Sequence, residues 1–123
     1  MAALGKHLLL ELKDCNSELL NDMSYLRKTL REVAILIGAT ILKDDFYQFT
    51  PQGVSGVILI AESHISINTW PEHNYAAVNA FTCGDVIEPK SAIKPLVEKL
   101  QAKSSSYREI KRGILIENGL AVG

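Results

Sequence analysis

VSGVILIAESHISINTWPEHNYAAVNAFTC, residues 54–83, decides the fold. Its first part, Val54 to Ala61, is β-branched and apolar, the pattern of a buried strand. His64 to Trp70 alternates instead. Ile65 and Ile67 point one way, while His64, Ser66 and Asn68 point the other. Asn74 to Cys83 is a third strand-like run, closed by Gly84-Asp85.

Upstream, residues 40–50 read as a strand with aromatics at Phe46, Tyr47 and Phe49, followed by the turn signal Pro51-Gln52-Gly53. Before that, Leu19, Met23, Leu26, Leu30, Val33 and Ile37 recur at spacings of three and four. That stripe predicts a helix facing a core, starting at Asn16 or Ser17 and ended by Gly38. Asn21-Asp22 marks a place where a first short turn can split off. Residues 6–13 read as another strand. Downstream, Pro89 to Gln101 predicts a second helix with Ala92, Ile93, Leu96, Val97 and Leu100 on one face. Pro95 should kink it or delay its start. Tyr107 to Ile116 reads as a last strand or an extended tail. Helices separated by a run of strands imply an α+β fold: a two-layer α/β sandwich, mostly antiparallel sheet, with helices on one face.

A chain of 123 residues fits one domain, 1–123, and a chain this size buries roughly two thirds of its unfolded surface. Thirteen basic and 14 acidic residues give a net charge of −1, which argues against nucleic acid or an anionic membrane as a partner. No apolar run approaches the ~20 residues of a membrane span. The two cysteines, Cys15 and Cys83, make neither a disulfide framework nor a metal motif. The expectation is a cytoplasmic protein with reduced thiols and no metal.

Ser63 by itself reads as a polar residue at a strand end. No Gly-x-Ser-x-Gly elbow surrounds it and no Asp completes a recognisable triad. Cys83 alone reads as a small buried apolar residue, Phe49 and Trp70 as core aromatics, and Glu72 as a solvated turn residue.

The motifs taken together read otherwise. They are Gly-Val-Ser-Gly (53–56), Ala-Glu-Ser-His (61–64), Thr-Trp-Pro-Glu-His (69–73), Tyr-Ala-Ala-Val (75–78) and Phe-Thr-Cys-Gly (81–84). Gly-Lys-His (5–7), Gly-Ala-Thr (38–40) and the Phe46–Phe49 spacing add to them. In this order and spacing the chain closely resembles the short prokaryotic form of S-adenosylmethionine decarboxylase, a pyruvoyl-dependent enzyme. The resemblance spans nearly the whole chain and is weakest after Ile93.

The resemblance implies self-processing. The Ser63 hydroxyl attacks the Glu62 carbonyl, the peptide becomes an ester, and elimination leaves a β chain, 1–62, and an α chain, 63–123, headed by a pyruvoyl group. That ketone forms a Schiff base with the substrate amine and accepts electrons as carbon dioxide leaves. Carried over by motif, Ser55 assists processing, Cys83 returns a proton to substrate, Phe49 stacks on adenine, Trp70 walls the pocket and Glu72 holds the ribose hydroxyls. His64 and His73 read as structural. The resemblance also implies a homodimer with sites near its interface, and no metal or putrescine activator.

Position 68 departs from the family pattern, which usually has histidine there to take the α-proton during ester breakdown. Asn68 offers only hydrogen bonds. Three readings stay open: a substitution introduced to hold the precursor uncleaved, a natural variant in which water or another group removes the proton slowly, or a branch with another amine substrate. The leading function is decarboxylation of S-adenosylmethionine for spermidine synthesis. The alternatives are a pyruvoyl-dependent arginine or ornithine decarboxylase and a non-processing pseudoenzyme.

Overall fold

The computed structural model describes residues 2–83, 87–116 and 119–121. Within these residues seven strands form one sheet: β1 (Ala2–Lys13), β2 (Ile41–Gln48), β3 (Val54–Ile60), β4 (Ser63–Trp70), β5 (Tyr75–Cys83), β6 (Ser104–Ile116) and β7 (Gly119–Ala121). Their order across the sheet is β2-β3-β4-β5-β1-β6-β7, and every neighbouring pair is antiparallel. Three helices, α1 (Ser17–Leu20), α2 (Met23–Leu36) and α3 (Ile93–Leu100), pack on one face. This is the predicted α+β two-layer sandwich. The predicted closure of β5 at Gly84-Asp85 lies outside the described residues.

Period-2 alternation sorts the sheet into two faces. Leu8, Leu10 and Leu12 on β1, Ile65 and Ile67 on β4, and Ala76, Val78 and Ala80 on β5 are buried toward the helices. Each leucine there contributes about 2 kcal/mol by leaving water. They meet Leu20, Leu26, Leu30, Val33, Leu96 and Leu100. The opposite face carries His64, Ser66, Asn68 and Trp70 on β4, the side on which the alternation places the polar residues.

The split at Asn21-Asp22 is real: α1 ends at Leu20, and the Asp22 carboxylate caps α2 by accepting from the Tyr25 N–H at 3.0 Å. The break shifts the stripe, so Leu20 rather than Leu19 is buried. Gly38 follows α2 with φ +91°, a value that favours glycine. Pro95 delays the second helix: Pro89–Ala92 form a 3-10 turn, and Pro95 sits in the first turn of α3, where its missing N–H has no partner to lose. At the β2 edge, Phe46 lies across from Gly56. A Cβ on Gly56 would come within 2.1 Å of the Phe46 ring.

Candidate active site

The β3–β4 connection is only Ala61-Glu62, so the two strands stay in tight register from Ile60↔Ser63 to Ser55↔Asn68. The first end of this ladder holds the Glu62–Ser63 peptide, the junction that the resemblance expects to be cut. The Glu62 carbonyl oxygen accepts the Cys83 main-chain N–H at 2.8 Å. The Glu62 carboxylate accepts the Thr40 N–H at 3.2 Å, and the Thr40 carbonyl accepts the Ala61 N–H at 2.8 Å. Glu62 is thus held through both its main chain and its side chain.

Ser63 follows with φ +143°. This region is nearly confined to glycine, and a residue with a Cβ is held there at a cost of about 1–3 kcal/mol. Its Oγ lies 3.1 Å from Nδ1 of His64. The Cys83 side chain, next to the register partner of Ser63, is exposed rather than buried as a lone cysteine would be. Cys15 is the buried thiol, 3% exposed.

The other end of the ladder holds a cleft. Phe49, Gln52, Gly53, Val54, Asn68, Thr69, Trp70 and Glu72 line a volume of about 340 Å³. An adjoining cleft of about 470 Å³ shares Phe49 and adds Asp45, Tyr47, Ser55 and Ser66. Both fall in the range of small-molecule sites. Phe49 is 47% exposed and Trp70 41% exposed, so neither is the core aromatic that each suggests in isolation. Phe49 is held by its N–H donating to the Gly53 carbonyl at 2.8 Å and by an edge contact with Tyr47. Ser55 donates its hydroxyl proton to Oδ1 of Asn68 at 2.7 Å.

The structure therefore brings the expected residues together in two groups: Glu62, Ser63 and Cys83 at one end, and Phe49, Ser55, Asn68, Trp70 and Glu72 at the other. Ser63 and Asn68 are the first and sixth residues of β4. Five strand steps separate them by roughly 16 Å.

Sequence reading missed Tyr75. Its ring packs on Trp70 with centroids 5.4 Å apart, and its hydroxyl donates to Glu11. Burial first, then the Glu11 carboxylate, pushes its pKa up to about 12. The short turn between Trp70 and Tyr75 was the available signal, since it puts the two in register. The motif Gly-Ala-Thr (38–40) included Thr40 but gave it no role, because it acts on Glu62 through its backbone N–H. No cluster of three or more metal-ligating side chains occurs among the described residues, and no described helix is long and apolar enough to cross a membrane.

The family model for S-adenosylmethionine decarboxylase matches residues 6–113. The chain is similar to the S-adenosylmethionine decarboxylase proenzyme of Thermodesulfovibrio yellowstonii, 48% identical over 115 residues that cover 94% of this chain and 85% of that protein. It is similar to the Prochlorococcus marinus proenzyme, 47% identical, with 95% and 98% of the two chains covered. The crystal structure of the adenosylmethionine decarboxylase from Aquifex aeolicus superposes with a TM-score of 0.86 at 34% identity, covering 95% of this chain and 97% of that one. In sequence from Lys6 to Gly113 and in fold alike, the chain belongs to the S-adenosylmethionine decarboxylase family.

Proposed function

We propose that the chain is made as a precursor, cuts itself between Glu62 and Ser63, and as the processed enzyme decarboxylates S-adenosylmethionine to the aminopropyl donor of spermidine synthesis. The observation that carries the reading is the Glu62–Ser63 junction itself. A serine with strained φ follows a carbonyl anchored by a main-chain donor, in a chain of this family. The products are a β chain, 1–62, and an α chain, 63–123, and the enzyme works in the cytoplasm.

The residues at the junction fit a pyruvoyl group made from Ser63. Its side chain is half-buried beside an exposed thiol and an imidazole, and Glu62 is already fixed. When formed, the group supplies a ketone that draws off the electrons released with carbon dioxide. The chain's own residues do the rest. Phe49 offers a face on which adenine stacks, Trp70 walls the pocket, and Glu72 can accept from both ribose hydroxyls. The Cys83 thiol returns a proton to the substrate carbon.

Roughly 16 Å between Ser63 and Asn68 is too far for one small substrate and one proton transfer. A homodimer removes the difficulty. The polar sheet face is left uncovered by the helices. A two-fold axis running across β4 between two such faces lays one β4 antiparallel on the other, bringing the Ser63 end of one copy to the Asn68 end of its partner. Each dimer then holds two composite sites.

Asn68 is the observation that favours a second reading, a trapped precursor. Asp45, a carboxylate lining the adjoining cleft, favours a cationic amino acid such as arginine or ornithine as substrate. Intact mass together with carbon dioxide release from carboxyl-labelled S-adenosylmethionine, arginine and ornithine tests all three. Two fragments accumulating slowly beside the intact chain, and release from S-adenosylmethionine, are expected. A single species at 13.5 kDa with no release leaves the trapped precursor.

A further inference from the structure

We propose that His64 is the catalytic base of the first processing step: it takes the Ser63 hydroxyl proton and delivers it to the departing amide nitrogen. The proposal rests on the self-cleavage reading and assigns a residue to the half of that reaction that position 68 does not serve.

Three observations carry it. First, with its proton on Nε2, His64 presents Nδ1 as an acceptor, and the Ser63 O–H donates to it across 3.1 Å. That is within proton-transfer reach. Second, the positive φ of Ser63 takes this residue out of regular alternation, letting its Oγ meet a ring on the polar face of the sheet. Third, the electrophile is held. The Glu62 oxygen accepts the Cys83 N–H at 2.8 Å, so charge developing on that oxygen meets a donor already in position.

The ring of His64 is also fixed. It stands edge-on to Phe81 with centroids 6.0 Å apart, and His7 approaches Phe81 at 5.4 Å. Arg112 lies 5.2 Å from the centre of the same Phe81 ring. His7 is held below its ordinary pKa, by burial first and then by Arg112 and His64, which favours its neutral form beside a ring that must carry a proton in transit.

The step balances without a co-reactant. The Oγ–H bond breaks and its proton goes to Nδ1. Oγ bonds to the Glu62 carbonyl carbon. The Glu62–Ser63 carbon–nitrogen bond breaks, and the nitrogen takes the proton back from Nδ1. Peptide has become ester, and the imidazole is neutral again. The α-proton is removed only afterwards, which is why a chain with an amide at 68 can still reach the ester.

Hydroxylamine, which cuts esters and spares peptides under mild conditions, reads this step. The full-length chain, His64→Ala and His64→Gln are treated at neutral pH, the mass of each is followed in time, and circular dichroism reports folding. The full-length chain is expected to be cut at Glu62–Ser63. Both variants should be cut ~10²-fold more slowly, since glutamine keeps a hydrogen-bonding group but cannot carry the proton. Imidazole added to His64→Ala should restore part of the rate. A folded His64→Ala or His64→Gln cut as fast as the full-length chain overturns the role of His64 alone. A folded full-length chain that resists hydroxylamine, together with an Asn68→His chain that stays whole, overturns the self-cleavage reading and this proposal with it.

Discussion

Ser55 and Asn68 face each other across the β3–β4 ladder, and the serine hydroxyl donates to the asparagine oxygen at 2.7 Å. The amide oxygen is thereby occupied, and neither end of the amide can take a proton near neutral pH. Asn68→His puts a titratable ring on the same polar face. Self-cleavage should accelerate by ~10²–10⁴, the usual worth of a placed base. The measurement is the ratio of fragments to intact chain by mass during expression and after purification. Complete maturation of the Asn68 chain during expression would show that position 68 is not the essential base.

Glu72→Gln should weaken S-adenosylmethionine binding with little effect on the fold, because Glu72 is exposed in the 3-10 turn Pro71–His73. Charge-assisted bonds to a diol become neutral ones of about half the strength, a loss of about 1–2 kcal/mol or roughly tenfold in affinity. Calorimetric titration reads it. Unchanged affinity removes Glu72 from the site.

Gly56→Val should destabilise the protein. Any Cβ at 56 meets the Phe46 ring at 2.1 Å, and that ring lies beneath the guanidinium of Arg27, with centroid and carbon 5.2 Å apart. Overpacking of this kind costs about 1–3 kcal/mol. Urea denaturation should show a lower midpoint at an unchanged slope.

The two thiols should behave oppositely. Cys83 is exposed and should react with a thiol reagent in the native state, whereas Cys15 should react only after unfolding. Burial, then Asp14, raises the Cys15 thiol from 9.0 to about 11. The folded value lies above the unfolded one, so its contribution is complete below pH 9 and is lost as pH rises through about 11. The loss is on the order of 2 kcal/mol. Denaturation midpoints between pH 8 and 11 should fall for the native sequence and fall less for Cys15→Ala.

The alternation of Ile65 and Ile67 made β4 legible, and with it the sandwich, because a half-buried strand writes its two faces directly into sequence. Pro95 was legible for the same local reason. Ala2–Gly5 and Ser104–Ser106 were not, since their strand character comes from pairing with a central neighbour rather than from their own preferences. That Phe49, Trp70 and Glu72 line one cleft is what the family resemblance implied; taken one at a time, each reads as core or solvated turn. The strained φ of Ser63 and the grip of Thr40 on Glu62 do not, because both depend on backbone geometry that residue type leaves open. The separation of Ser63 from Asn68 was available all along in the strand rise.

That separation gives the last prediction. If each site combines Ser63 and Cys83 of one protomer with Phe49, Asn68 and Glu72 of its partner, two defective chains can complement. Take Cys83→Ala and Glu72→Ala, both carrying Asn68→His so that processing is fast and complete. Each homodimer lacks either the thiol or the carboxylate in both sites. In the mixed dimer one site collects both defects. The other collects the intact thiol of one chain and the intact carboxylate of the other. Random assortment makes half the dimers mixed, so co-expression should recover about a quarter of the activity of the undamaged sites. Sites confined to one protomer would recover nothing, because every such site still carries one defect. Carbon dioxide release from co-expressed chains, against the same chains purified apart and mixed without exchange, separates the two arrangements. Activity appearing only on co-expression, or after denaturation and refolding together, places the reaction between the protomers.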